Sequence, residues 1–155
     1  MASLRRKALA IVIAASALLA FGRPNHAQPP GALRLALTDP PGGLLIVNDG
    51  TTAMAIQMAI AVQKQEIAGW VPIATEFKAV ARCDPPGSAT TVEVAPATTL
   101  TVRPWRGFSC SGQCNFICRA NVYYGPGMFR FVVTVVPGSS QIISTAFALP
   151  AEPFR

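Results

Sequence analysis

Residues 54–62 read MAIQMAIAV, and two readings of them compete. The residue types favour a helix, because alanine, methionine and glutamine all have high helix propensity. The order favours a strand: Met54, Ile56, Met58, Ile60 and Val62 alternate with Ala55, Gln57, Ala59 and Ala61. In an extended chain that alternation puts every large side chain on one face. Propensity differences of less than about 1 kcal/mol per residue yield readily to such a pattern, so the segment is read as a strand with one buried face.

The same period recurs on both sides. Leu33, Leu35 and Leu37 alternate ahead of the turn TDPPGG, and Leu44 to Val47 form a short apolar run ended by NDG. Val92 and Val94 stand before Pro96, with Leu100 and Val102 after it. Phe129, Phe131, Val133 and Val135 alternate between the turns YGPG and PGSS, and Ile143, Thr145, Phe147 and Leu149 close the chain. Eight or so strands, separated by turns rich in Pro, Gly, Asn and Asp, predict an all-β fold, a single antiparallel β-sandwich. No helical pattern follows the first thirty residues.

Those residues have another logic. Arg5, Arg6 and Lys7 precede an uncharged apolar run from Ala8 to Phe21, and the small Ala27 precedes Gln28 and two prolines. This is the layout of a cleaved N-terminal signal helix, residues 1–27, cut after Ala27. The run is shorter than the roughly 20 residues a membrane span needs, so no span is expected in the mature form. Leu4 breaks the spacing of a twin-arginine signal, so Sec-type export to the periplasm or the exterior is expected. No cysteine follows the run to carry a lipid anchor.

Cleavage would change the chemistry of what remains. Of the 13 basic residues, Arg5, Arg6, Lys7 and Arg23 depart while all 7 acids stay, so the net charge falls from +6 to +2. The surviving cations are scattered, unlike a nucleic-acid interface. The sole histidine, His26, departs too, which removes imidazole from general acid/base catalysis, hydrolase triads and metal ligation. The remaining 128 residues, 28–155, suffice for one domain with a core.

Several motifs in order, LLIVND (44–49), GWVPI (69–73, read as a turn around Trp70), APATTL (95–100), GPGMFRFVVTV (125–135) and STAFAL (144–149), resemble the small immunoglobulin-like domains of exported bacterial proteins. They are also distantly similar to the BsuPI-type proteinase inhibitor domain, in which a Gly-aromatic turn leads into a late strand. The resemblance spans Ala32 to Leu149 and implies an immunoglobulin-like β-sandwich. It carries no inhibitory residue onto this chain.

Cys83, Cys110, Cys114 and Cys118 are an even set in a chain read as exported, the setting in which disulfides form. Four cysteines allow three pairings. Cys118 lies in NFICRANVYY, which reads as the start of a strand. An extended run from Cys114 to Cys118 would separate their Cα atoms by about 13 Å, against the roughly 4.4 to 6.8 Å a disulfide tolerates. CSGQC, with Ser111 and Gly112, can turn tightly. The expected pairing is Cys110 with Cys114 and Cys83 with Cys118. Competing readings are a zinc or iron–sulfur site, which needs reduced thiolates, and copper, for which Met54 and Met58 would be soft ligands. A redox pair is disfavoured by the x3 spacing and the lack of a following helix. No metal or cofactor is expected.

The acids Asp39, Asp49 and Asp84 sit in the turns TDPP, NDG and CDPP, ordinary turn chemistry, and no two carboxylates pair into an acid/base couple. No catalytic residue is assigned. The remaining candidates lie in RPWRGF: Arg103, Trp105, Arg106 and Phe108, beside the cysteine cluster. Arginine and tryptophan are enriched in binding hot spots, but a lone tryptophan is more often buried, so the favoured reading seats Trp105 against the sandwich end with its arginines solvated. The expectation is an exported, non-enzymatic module that binds another protein or serves the cell envelope. The alternatives are a secreted protease inhibitor presenting residues 103–118 and a periplasmic copper-binding protein.

Overall fold

The structure, a computed structural model, describes residues 33–39, 41–80, 90–110 and 121–151. The segment read as a signal peptide lies outside the described residues, as do Cys83, Cys114 and Cys118. The described residues form ten strands and no helix: β1 (Leu33–Thr38), β2 (Gly43–Asn48), β3 (Met54–Gln57), β4 (Ala61–Glu66), β5 (Gly69–Ile73), β6 (Thr91–Val94), β7 (Thr98–Val102), β8 (Gly127–Val136), β9 (Gln141–Ile143) and β10 (Phe147–Leu149).

Every pairing is antiparallel. One sheet runs β1-β2-β7. The other is built around β8, whose alternation is the longest in the chain. One edge of β8 pairs with β4 and then β3, and its other edge with β10 and then β9. β5 extends the sheet beyond β4, and β6 extends it beyond β3. The two antiparallel sheets pack together as a β-sandwich, the second strand lying beside the seventh rather than the third.

The decisive stretch behaves as its alternation requires, with one break. Ile56, Met58, Ile60 and Val62 all face the core, but the strand splits into β3 and β4. Ile56 stands opposite Val135 and Ala61 opposite Val132, so residues 57–60 carry two more positions than β8 spends on the same span. Their backbone groups turn elsewhere. The Met58 N–H donates to Thr90 (2.7 Å), the Ile60 N–H to Phe77 (3.0 Å), and Met58 accepts from Ala79 (2.8 Å). Two inserted residues preserve the parity of the faces, which is why the period survives the break.

The last strand breaks differently and corrects the expected alternation. Val132 pairs with Ile143, but Phe129 pairs with Phe147, a one-residue slip that flips the faces between β9 and β10. Ile142 therefore packs toward the core and Ile143 is exposed, while Phe147 and Leu149 are buried. Ser144 forms the bulge: it donates its N–H to the Phe131 carbonyl (3.0 Å), and its Oγ accepts the Phe131 N–H (2.9 Å). GWVPI is also corrected, from a turn to the edge strand β5.

Leu44 and Ile46 from the first sheet meet Val62, Phe129, Phe131 and Val133 from the second. Asn48, fully buried at the end of β2, donates its amide to Thr52 (2.8 Å) and Val94 (3.0 Å) and accepts from the Gly50 N–H (3.0 Å). It thereby ties the first sheet to the end of β6.

Candidate functional site

β7 and β8 belong to different sheets, so the chain between them must cross the end of the sandwich. Trp105 anchors that crossing. Its side chain is completely buried, with ring centroids 5.3 Å from Phe129, 6.4 Å from Phe131 and 6.3 Å from Phe147, each nearly edge-on. Edge-to-face packing adds about 0.5–1.5 kcal/mol per pair to the burial itself. The indole N–H donates to the Phe108 carbonyl at 2.7 Å, which closes residues 105–108 into a turn. The Trp105 N–H donates to Gly42 in the β1–β2 turn (2.8 Å).

The segment then folds back on itself. Phe108 and Tyr123 form a β-bridge, with rings 5.2 Å apart. The Ser109 N–H donates to Val122 (2.8 Å), the Val122 N–H to Ser109 Oγ (2.9 Å), and the Tyr124 N–H to Gly107 (2.8 Å). Residues 107–110 and 121–124 are thus the base of a hairpin. Gly107 is required there: its φ is +85°, and a Cβ would strike the Tyr123 ring and Leu149.

Four further ties fix the base. Ser109 accepts from the Glu76 N–H (2.9 Å). The Tyr124 hydroxyl donates to Ala74 (2.7 Å), and the Tyr123 hydroxyl to Pro150 (2.8 Å). The Lys64 ammonium donates to the Tyr124 carbonyl (3.0 Å) and lies 5.8 Å from the Phe129 ring centroid. Partial burial raises the Tyr123 phenol above its usual value of about 10.

The four residues singled out in RPWRGF therefore divide. Arg103 and Arg106 are exposed on either side of the anchor, and Phe108 is half-buried against Tyr123. Trp105 is buried in the core, the favoured of its two readings from sequence, so its side chain offers no surface to a partner. Gly107, Ser109, Tyr123 and Tyr124 were missed. The available signals were a tyrosine pair just ahead of GPG and a glycine just after RPWR, both marks of chain reversal.

Cys110 is disulfide-bonded, and its N–H donates to Asn121 Oδ1 at 3.4 Å. The other three cysteines fall outside the described residues. Among the described residues no three His, Cys, Asp or Glu side chains gather as metal ligands. Met58 is buried and Met54 is half-buried against the same core, so the soft sulfurs read as copper ligands serve as core packing. Comparison with family models, curated proteins and solved structures finds no match to this chain.

Proposed function

We propose that this chain is an exported, non-enzymatic binding module that recognises another protein through the hairpin rooted at residues 103–110 and 121–124. The observation that carries this reading is the complete burial of Trp105 between exposed Arg103 and Arg106. A contact loop held by the core loses little freedom on binding, and preorganisation of that kind is a main source of affinity. The paired cysteines fit the same reading. Cys110 with Cys114 would close the hairpin tip, and Cys83 with Cys118 would tether it to the chain after Phe77. Export through a cleaved residue 1–27 signal would supply the oxidising compartment these bonds need.

The test is capture from a periplasmic extract by the mature domain, with an R103E/R106E double variant alongside. Both side chains are exposed, so the variant should keep its melting temperature. A partner held by the wild type and weakened roughly tenfold or more by the variant supports the reading. Equal capture by both proteins refutes it. The same anchored base favours a second reading, protease inhibition, in which a protease would be inhibited by the oxidised domain and released on reduction.

A further inference from the structure

The face of the second sheet turned away from the core carries a feature the hairpin does not use. Arg130 lies between Phe129 and Phe131 on β8 and points to the opposite side. Its guanidinium carbon sits 4.4 Å from the Trp70 ring centroid, across β4, and its Nε donates to Gln63 Oε1 at 2.8 Å. The half-buried side chain is therefore held flat along the sheet. Its two terminal nitrogens have no acceptor among the described residues.

Strand register defines the surroundings. Gln63 stands opposite both Arg130 and Pro72, Gln65 opposite Trp70, and Met128 opposite Ala148. All are uncharged, and Pro72, Met128 and Ala148 are exposed. Among the described strand residues, the one acid that register puts on this face is Glu93, opposite Ala55, which is itself opposite Val136. Six residues of β8 separate that row from Arg130, about 20 Å. Among the described residues, the near part of the face is thus an uncharged, partly apolar surface with one oriented cation that has no ion-pair partner.

We propose that this face is a second contact surface, distinct from the hairpin, and that its ligand is an acidic peptide segment of a protein partner. A carboxylate would take the terminal N–H groups of Arg130, and a neighbouring apolar side chain would lie on Met128 and Pro72. A planar guanidinium matches a carboxylate bidentately, which an ammonium cannot do. Trp70 and Gln63 have already ordered it, so little side-chain freedom is left to lose. The guanidinium also covers the indole face on which a sugar ring would stack, which favours a peptide over an acidic polysaccharide.

The test is a titration of the isotope-labelled chain, followed by the Arg130 Nε–H and Trp70 indole N–H resonances. The probes are synthetic octapeptides with one Glu or Asp among apolar residues, the same peptides with Gln or Asn, and polygalacturonate. The expected result is saturable shifts on β4, β5 and β8 with the acidic peptides. The amide peptides should bind roughly tenfold or more weakly. Arg130→Lys, which keeps the charge and loses the fork, should weaken binding comparably while backbone shifts elsewhere stay unchanged. R103E/R106E should bind the peptides like wild type, so failure here is separable from failure of the hairpin reading. Equal response to acid and amide peptides, no response to either, full binding by Arg130→Lys, or saturation only by polygalacturonate would overturn the proposal.

Discussion

The Trp105 backbone N–H donates to the Gly42 carbonyl across 2.8 Å, and a Cβ on residue 42 would run into the Trp105 carbonyl oxygen. The crossing between the sheets and the β1–β2 turn are therefore in backbone contact, and the indole is seated from there into the aromatic core. Gly42 adopts φ +91°, a conformation an L-residue enters only under strain.

Gly42→Ala should cost about 2–3 kcal/mol, since strain and collision act together. Trp105→Ala should cost about 3–5 kcal/mol, as a large aromatic removed from a closed core. Urea denaturation of each variant measures both. A Gly42→Ala protein as stable as wild type would mean that the turn does not carry the anchor.

Asn48 makes a prediction in which the sign of a substitution matters. Asn48→Ala leaves the Val94 and Thr52 carbonyls and the Gly50 N–H without their partner, a loss of about 2 kcal/mol. Asn48→Asp still accepts from Gly50 but sets a carboxylate against the carbonyl oxygens of Thr52, Val94 and Ala95, so at neutral pH it should be the more damaging change. Equilibrium unfolding at pH 7 ranks the two, and an Asp variant as stable as wild type would contradict the assignment.

Tyr123 sets an alkaline limit. Its phenol titrates above the usual value of about 10 because burial disfavours the phenolate. The folded state therefore keeps its proton where the unfolded chain loses it. That contribution is fully present below the unfolded value and is lost as pH rises through the folded one. Tyr123→Phe should lose less stability than wild type between pH 9 and pH 11, a range that brackets about 10. Parallel stability curves for the two proteins would contradict the burial.

The cysteines give a covalent prediction. A non-reduced digest should yield one peptide linking Cys110 with Cys114 and another linking Cys83 with Cys118. The second closes a loop worth about 3–4 kcal/mol by chain entropy. A Cys83–Cys110 peptide would refute the pairing.

Alternation made most of the strands legible. Phe129, Phe131, Val133 and Val135 face the core as read, and so do Leu44, Ile46, Val94 and Val102. What alternation cannot reveal is a change of register. The two extra residues between Ile56 and Ala61 leave no trace in the period, whereas the single bulge at Ser144 turns Ile143 outward, and only its partner Phe131 specifies it. The candidate site was legible in part. RPWRGF stood out by composition, but what makes Trp105 an anchor is its contact with Gly42, Phe129 and Phe147, residues distant in sequence. Arg130 carries no local signal of its setting, because its partner Trp70 lies two strands away.

Amide hydrogen exchange on the full chain tests the anchored hairpin most directly. Ser109, Val122 and Tyr124 should exchange nearly as slowly as Phe131 in β8, and Trp105→Ala should release those three first. If they exchange in the wild type as fast as an open loop, the crossing is not held by its tryptophan and the hairpin is not a preorganised surface.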